Sequence, residues 1–386
     1  MKQEIISFLS TCDKELNDLS SYLYNNPEES YSETKSSKYI CNLLNKYNFE
    51  VSENFLDIPN SFICKKGTGY PKICFISEYD AVKDYGHITG HNALSTISVG
   101  AALALGSVVN KIGGSVILIG CPGEYLGGTK AVMTRQGVFD DIDVVMLAHP
   151  DVVTSESGTS SSIIPLSIKY QGKDGLTFLN KNIYTALDAI LLNFNILNSL
   201  QKGFPKDLEI NPILSQCGYT PLLLPAEAEA KFYIRSKNYK TSEWADNKLR
   251  TIAKYVSELT NLAYTTSLYE PSNKELITNR TLNRLFSHNL KENSIIDIGK
   301  PRDIYAGLSL GDVSHKVPCI HPYICITDDP SIKYGTKDFA KSTQSEFAFK
   351  QCKNASLALA FTGMDLIQNE NLLTEVKNDF FKNKNI

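Results

Sequence analysis

The 386-residue chain has no run of about 18 uncharged apolar residues, the length a membrane-spanning helix needs, so no membrane partner is expected. It has little surplus of charge of either sign. Thirty-nine Lys and Arg against 42 Asp and Glu leave a formal charge of -3, too near neutrality to draw in a phosphate backbone, and nucleic acid is not an expected partner. There is no C-x-x-C pair. The nine cysteines are odd in number and scattered, several inside apolar runs such as Ile73-Cys74-Phe75-Ile76, which argues against a disulfide scaffold and for buried free thiols in a reducing compartment. The first residues lack the basic start and apolar centre of a signal peptide, since Glu4, Asp13, Glu15 and Asp18 punctuate an amphipathic stretch, and a cytoplasmic residence is expected. Apolar residues are not scarce: 42% are hydrophobic and 10% aromatic, which excludes disorder for most of the chain and supplies core for two domains, or one with a large insertion.

Helical periodicity fills residues 3–25 and stops at Asn26-Pro27, because proline disfavours the helical region for the residue before it. A second helix is expected over 32–47. Short apolar runs at 61–65, 72–77, 115–120 and 143–148 have strand length, with helices expected over 93–109 and 128–135 between them. Fully apolar strands alternating with helices predict an α/β sheet covered on both faces, with ligands gathering at the carboxyl ends of parallel strands. After a small polar linker at 155–162, a strand (164–170), a helix (184–200), two strands (209–216 and 227–235) and a helix (242–262) make an α+β unit of domain size. The expected organisation is a discontinuous first domain, 1–162 plus 273–386, interrupted by an inserted domain, 163–272. A closing helix is expected over 345–366.

Three strand ends carry groups that could do chemistry. His87 and His91 are four apart, a spacing that would put two imidazoles on one helix face, although Gly86 and Gly90 argue for a loop. Glu124 follows an apolar strand in a glycine-rich turn, where a general base could approach substrate closely; a first-turn helix acid is the ordinary alternative. His149-Pro150 ends the fourth run, where a histidine bonded to a carbonyl is equally ordinary. Their convergence decides: in a parallel sheet His91, Glu124 and His149 share one rim.

These segments together resemble the aminoacylase, aminobenzoyl-glutamate hydrolase and carnosine-type dipeptidase group of di-metal peptidases. Glu78-Tyr79-Asp80-Ala81 and Gly86-His87-Ile88-Thr89-Gly90-His91-Asn92 are similar to its E-Y-D-A-L and G-H-A-C-G-H-N; Pro122-Gly123-Glu124-Tyr125 with Gly127-Gly128-Thr129-Lys130 is similar to P-A-E-E-G-G-G-K; His149-Pro150 follows at the matching distance. The resemblance covers nearly the whole chain and implies a di-zinc-peptidase-type catalytic domain, an inserted dimerisation (lid) domain, a homodimer, and hydrolysis of small acyl-amino acids or dipeptides. It makes Glu124 the general base and His91 and His149 metal ligands. The family's other ligands are replaced: its bridging cysteine falls on Thr89, its second glutamate on Tyr125 and its late histidine on Gly335. Threonine and tyrosine are neutral at pH 7 and glycine offers no ligand atom, so a pair of cations loses its anionic anchors. The inserted domain's histidine falls on Leu176, its substrate-binding asparagine on Leu222, and an aspartate near the last ligand on Ser309.

Two functions follow. One is a metal-dependent amidohydrolase with its two-metal reaction impaired or lost, holding at most one divalent ion, zinc or manganese, on His91 and His149 with a third ligand from Glu78, Asp80 or His87; Arg235 is the candidate for substrate contact. The alternative is a non-catalytic homologue, without a metal, that binds a small metabolite or a protein partner.

Overall fold

The computed structural model describes residues 1–384, and the chain divides into two compact units: Met1–Thr159 with Leu276–Ile304 and Ser309–Ile386, and Ser160–Glu275 with Tyr305–Leu308. The first is built on a six-stranded sheet. Its first five strands in chain order are β1 (Glu50–Glu53), β2 (Phe62–Gly67), β3 (Lys72–Ser77), β4 (Ser115–Gly120) and β5 (Val144–Met146). Across the sheet the order is β1, β2, β4, β3, β5 and then Cys319–Ile320. β4, β3, β5 and Cys319–Ile320 run parallel, whereas β1 and β2 pair antiparallel, so an all-parallel sheet holds only for the four strands that matter to the site.

Every residue of β4 and nearly all of β3 is buried, as expected of strands covered on both faces. The helix His91–Gly106 is buried along its whole length and is rich in Ala, Ser and Gly. Those small side chains let the helix Glu346–Gln368 approach closely: a Cβ added at Gly100 would stand 2.5 Å from the Ser356 hydroxyl. Among the described residues no helix is long and apolar enough to cross a membrane.

Two expected helices differ. The first is broken at Cys12 into Lys2–Thr11 and Asp13–Asn25, where the Thr11 hydroxyl turns back to the Phe8 carbonyl at 2.6 Å and Cys12 is buried against the Tyr47 hydroxyl. The last continues past Asn369 into a further helix, Glu370–Lys384. Of the nine free thiols seven are buried, but Cys325 is partly exposed and Cys217 is exposed, a correction to the uniform burial expected.

The second unit has its own core. Strands run in the order Ala263–Leu268, Thr159–Gln171, Glu227–Ser236, Glu209–Gln216. Alternate residues Ala228, Ala230, Phe232 and Ile234 point inward, against Ala245, Leu249, Ile252, Ala253 and Val256 of the helix Tyr239–Thr260. The helix Ala186–Leu200 starts with a reciprocal cap between Thr185 and Asp188.

Candidate metal centre

The carboxyl ends of the parallel strands deliver the site. β3 ends at Ser77 and hands on Glu78 and Asp80, β4 ends at Gly120 before Glu124, and β5 ends at Met146 before His149. Gly90 caps the helix that carries His91 at φ +81°, and a Cβ there would meet Pro150 at 3.0 Å, so glycine sets both the turn and the packing that bring His91 toward His149.

The ligand atoms of Glu78, His91 and His149 all lie within 4.8 Å of one another, and all three residues are buried. Each imidazole has its Nδ1 engaged: His91 Nδ1 donates to Asp80 Oδ1 at 2.8 Å, and His149 Nδ1 to the Pro150 carbonyl at 2.8 Å. That leaves Nε2 as the nitrogen of each ring open to a ligand; His91 Nε2 stands 3.5 Å from Glu78 Oε2. Asp80, a ligand candidate from sequence, is therefore the group that orients His91. It is itself held by the Ser30 hydroxyl at 2.7 Å and the Tyr125 amide at 3.1 Å. His87, the other candidate, is not part of the cluster: its Nε2 donates to the Leu23 carbonyl at 3.1 Å near the end of the helix Asp13–Asn25, and burial pulls its pKa down to about 4.

Lys130, fully buried in the first turn of the helix Lys130–Arg135, joins the general-base candidate to the cluster. Its ammonium donates to Glu78 Oε1 at 2.7 Å and to Glu124 Oε2 at 2.6 Å. Ser309 adds its hydroxyl to Glu124 Oε2 at 2.6 Å and its amide to Oε1 at 3.2 Å. The two carboxylates respond oppositely. Burial would raise Glu78, but the Lys130 ammonium and the two imidazoles outweigh it and hold the carboxyl at about 2. For Glu124 burial wins, with the Glu78 charge adding to it, and its pKa lies above the usual carboxylate range despite Lys130 and Ser309. His149 is lowered by burial to about 4 and is neutral at pH 7; burial also works against a charged His91, but the Asp80 bond outweighs it and raises that pKa.

Two of the three positions where the resemblance implies ligands are paired with each other. The Thr89 and Tyr125 hydroxyls bond each other, and the Tyr125 ring stacks on His91 with centroids 4.8 Å apart. Gly335 sits at φ +78° with nothing within 4 Å of a would-be Cβ. In the second unit Arg235 donates to Asn211 Oδ1 at 2.7 Å and lies over the Tyr233 ring. Two imidazoles and one carboxylate, from His91, His149 and Glu78, are a donor set that fits a divalent ion.

Sequence reasoning missed Glu33, and gave Lys130 only as part of a motif and Ser309 only as a replaced aspartate, without their bonds to Glu124. Glu33 is fully buried, accepts the Gly123 amide at 2.7 Å through Oε1 and leaves Oε2 without a partner. Burial, with the nearby Asp80 charge, raises its pKa to about 7. The folded state thus binds a proton that the unfolded chain releases near pH 4.5, so stability is full below that pH and falls as pH rises toward 7, by about 3 kcal/mol. Glu33→Gln, which keeps the acceptor for Gly123, should abolish that fall; denaturant unfolding at pH 5 and pH 8 checks it, and an unchanged pH slope would remove Glu33 as its source.

The mouse Xaa-Arg dipeptidase is 26% identical over 318 residues, covering 80% of this chain and 73% of the mouse protein. A p-aminobenzoyl-glutamate hydrolase polypeptide of Escherichia coli is 27% identical over 287 residues, 69% of this chain and 60% of that protein. The chain is a homologue of these hydrolases. Solved structures carry the same fold: a dinuclear metal-binding peptidase of the M20 family from Bacillus subtilis (TM-score 0.63, 16% identity, 92% of this chain and 99% of that one) and an aminobenzoyl-glutamate utilization protein from Klebsiella pneumoniae (TM-score 0.72, 12% identity, 92% and 97%). No family profile matches the chain. The α/β fold with an inserted α+β unit is therefore that of the M20 peptidases, as the sequence motifs imply.

Proposed function

We propose that this chain is an amidohydrolase that works with one divalent ion, zinc or manganese, held by Glu78, His91 and His149, on small acyl-amino acids or dipeptides. The observation that carries the reading is the convergence of Glu78, His91 and His149, whose ligand atoms all lie within 4.8 Å of one another while both imidazole Nδ1 atoms are already engaged. The hydrolytic activities named for the relatives support the reaction class. When bound, the ion supplies Lewis-acid polarisation of a carbonyl. Asp80 holds His91 in the ligating tautomer. Glu124, with its raised pKa, takes a proton from water and returns it to the departing nitrogen, while Lys130 and Ser309 fix the direction of its carboxylate. The test is hydrolysis of N-acyl-amino acids and dipeptides by protein supplied with zinc, manganese or cobalt. Turnover that a chelator stops supports the reading; none with any of the three ions overturns it.

A non-catalytic binding role is favoured by one observation, that Glu124 already accepts bonds on both carboxylate oxygens. The same assay separates the two. The proposal includes a homodimer: the strand Glu209–Gln216 lies at the edge of its sheet, pairs with Glu227–Ser236 on one side, and is exposed along most of its length. Cytoplasmic residence belongs to it too, in keeping with nine free thiols.

A further inference from the structure

Two hydroxyls meet beside the imidazoles: Thr89 and Tyr125 bond each other. The rings lie against the histidines: Tyr125 stacks on His91 at 4.8 Å with 20° between planes, and the Tyr334 centroid is 6.3 Å from that of His149. One of their two protons makes that bond; with Thr89 as its donor, the Tyr125 proton is left for an acceptor from outside. Thr89 and Tyr125 are half-buried and Tyr334 is exposed, so a small molecule at the histidines can reach them.

We propose that Tyr125 is a catalytic hydrogen-bond donor to the carbonyl oxygen of the scissile amide, with Thr89 as the positioning residue that holds its hydroxyl in place. This rests on the amidohydrolase reading. A neutral donor fixed where negative charge develops stabilises the transition state without reorganising, and a second cation is not needed for that task. The step balances. Water gives a proton to Glu124 as its oxygen bonds to the carbonyl carbon, and the carbonyl π pair moves onto oxygen, where the Tyr125 O–H holds it. The pair then returns, the C–N bond breaks, and the proton on Glu124 passes to the departing nitrogen. Amide and water become carboxylic acid and amine, with no oxidant or reductant.

Tyr125→Phe keeps the ring on His91 and removes only the hydroxyl. In the metal-loaded protein its kcat should fall by about 100-fold or more with KM within about threefold. Binding of a phosphinic dipeptide analogue, whose tetrahedral oxygen mimics the oxyanion, should weaken about tenfold or more by calorimetry while metal content and product affinity hold. Thr89→Val should give the same changes at smaller size. An active wild type whose Tyr125→Phe variant keeps both kcat and analogue affinity overturns the donor role alone. A wild type with no turnover on any amide overturns the hydrolase reading and the donor role with it.

Discussion

Glu124→Gln should lower kcat by about 100- to 10,000-fold, the range that loss of a positioned general base produces, while the fold and the bound ion are retained. Retention follows from the neighbours. Glutamine still offers an oxygen to Ser309, and Lys130 keeps Glu78 as its ionic partner at 2.7 Å, so no buried charge is stranded. Glu124 also lies outside the three residues whose ligand atoms converge. The loss should therefore appear in single-turnover rates and leave metal content untouched. A variant that turns over within about tenfold of the wild type would assign the proton transfer elsewhere.

Lys130→Met should have the largest effect on stability. Methionine replaces the stem but not the ammonium, and leaves the Glu78 and Glu124 carboxylates facing each other with little solvent: their side chains are 4% and 12% exposed. Breaking a buried charge cluster in this way costs about 3–5 kcal/mol. The sign with pH follows. Two uncompensated carboxylates raise the folded-state pKa of one of them above its unfolded value, so the variant's deficit is smallest in acid and grows as pH rises through that raised pKa. Denaturant unfolding of metal-free protein across this range measures it; a deficit below about 1 kcal/mol at pH 8 would mean that Lys130 does not neutralise the pair.

The parts of this site that were legible in the sequence are those set by strands. Lys72–Ser77 and Ser115–Gly120 are uninterrupted apolar runs with polar or glycine-rich residues beyond them, so their ends, and hence the positions of Glu78 and Glu124, could be read directly. What period-2 geometry could not decide was the division of labour within Glu78-Tyr79-Asp80. Both acids lie just beyond the strand end, next to the buried Tyr79 in sequence, and only the position of the His91 ring makes one the ligand candidate and the other its orienter. The burial of Lys130 and of Glu33 was missed for a common reason. A lysine in a helix's first turn and an acid just before a helix read as solvated, and their burial is a tertiary property that local pattern does not carry. The one local signal was Gly127-Gly128 before Lys130: a close-packed turn is where a long side chain can be drawn inward.

The glutamate and cysteine that the resemblance leads one to expect are replaced by Tyr125 and Thr89, and the structure shows what the replacements do instead: they bond each other beside the histidines. That arrangement carries the central claim, a pocket for one cation in a fold that houses two in the dinuclear Bacillus subtilis peptidase. The most direct test is the metal content of native protein purified without chelator, by mass spectrometry of the intact chain and elemental analysis. One divalent ion per chain, lost in His149→Ala, is the predicted result. Two ions per chain, or none, would contradict it.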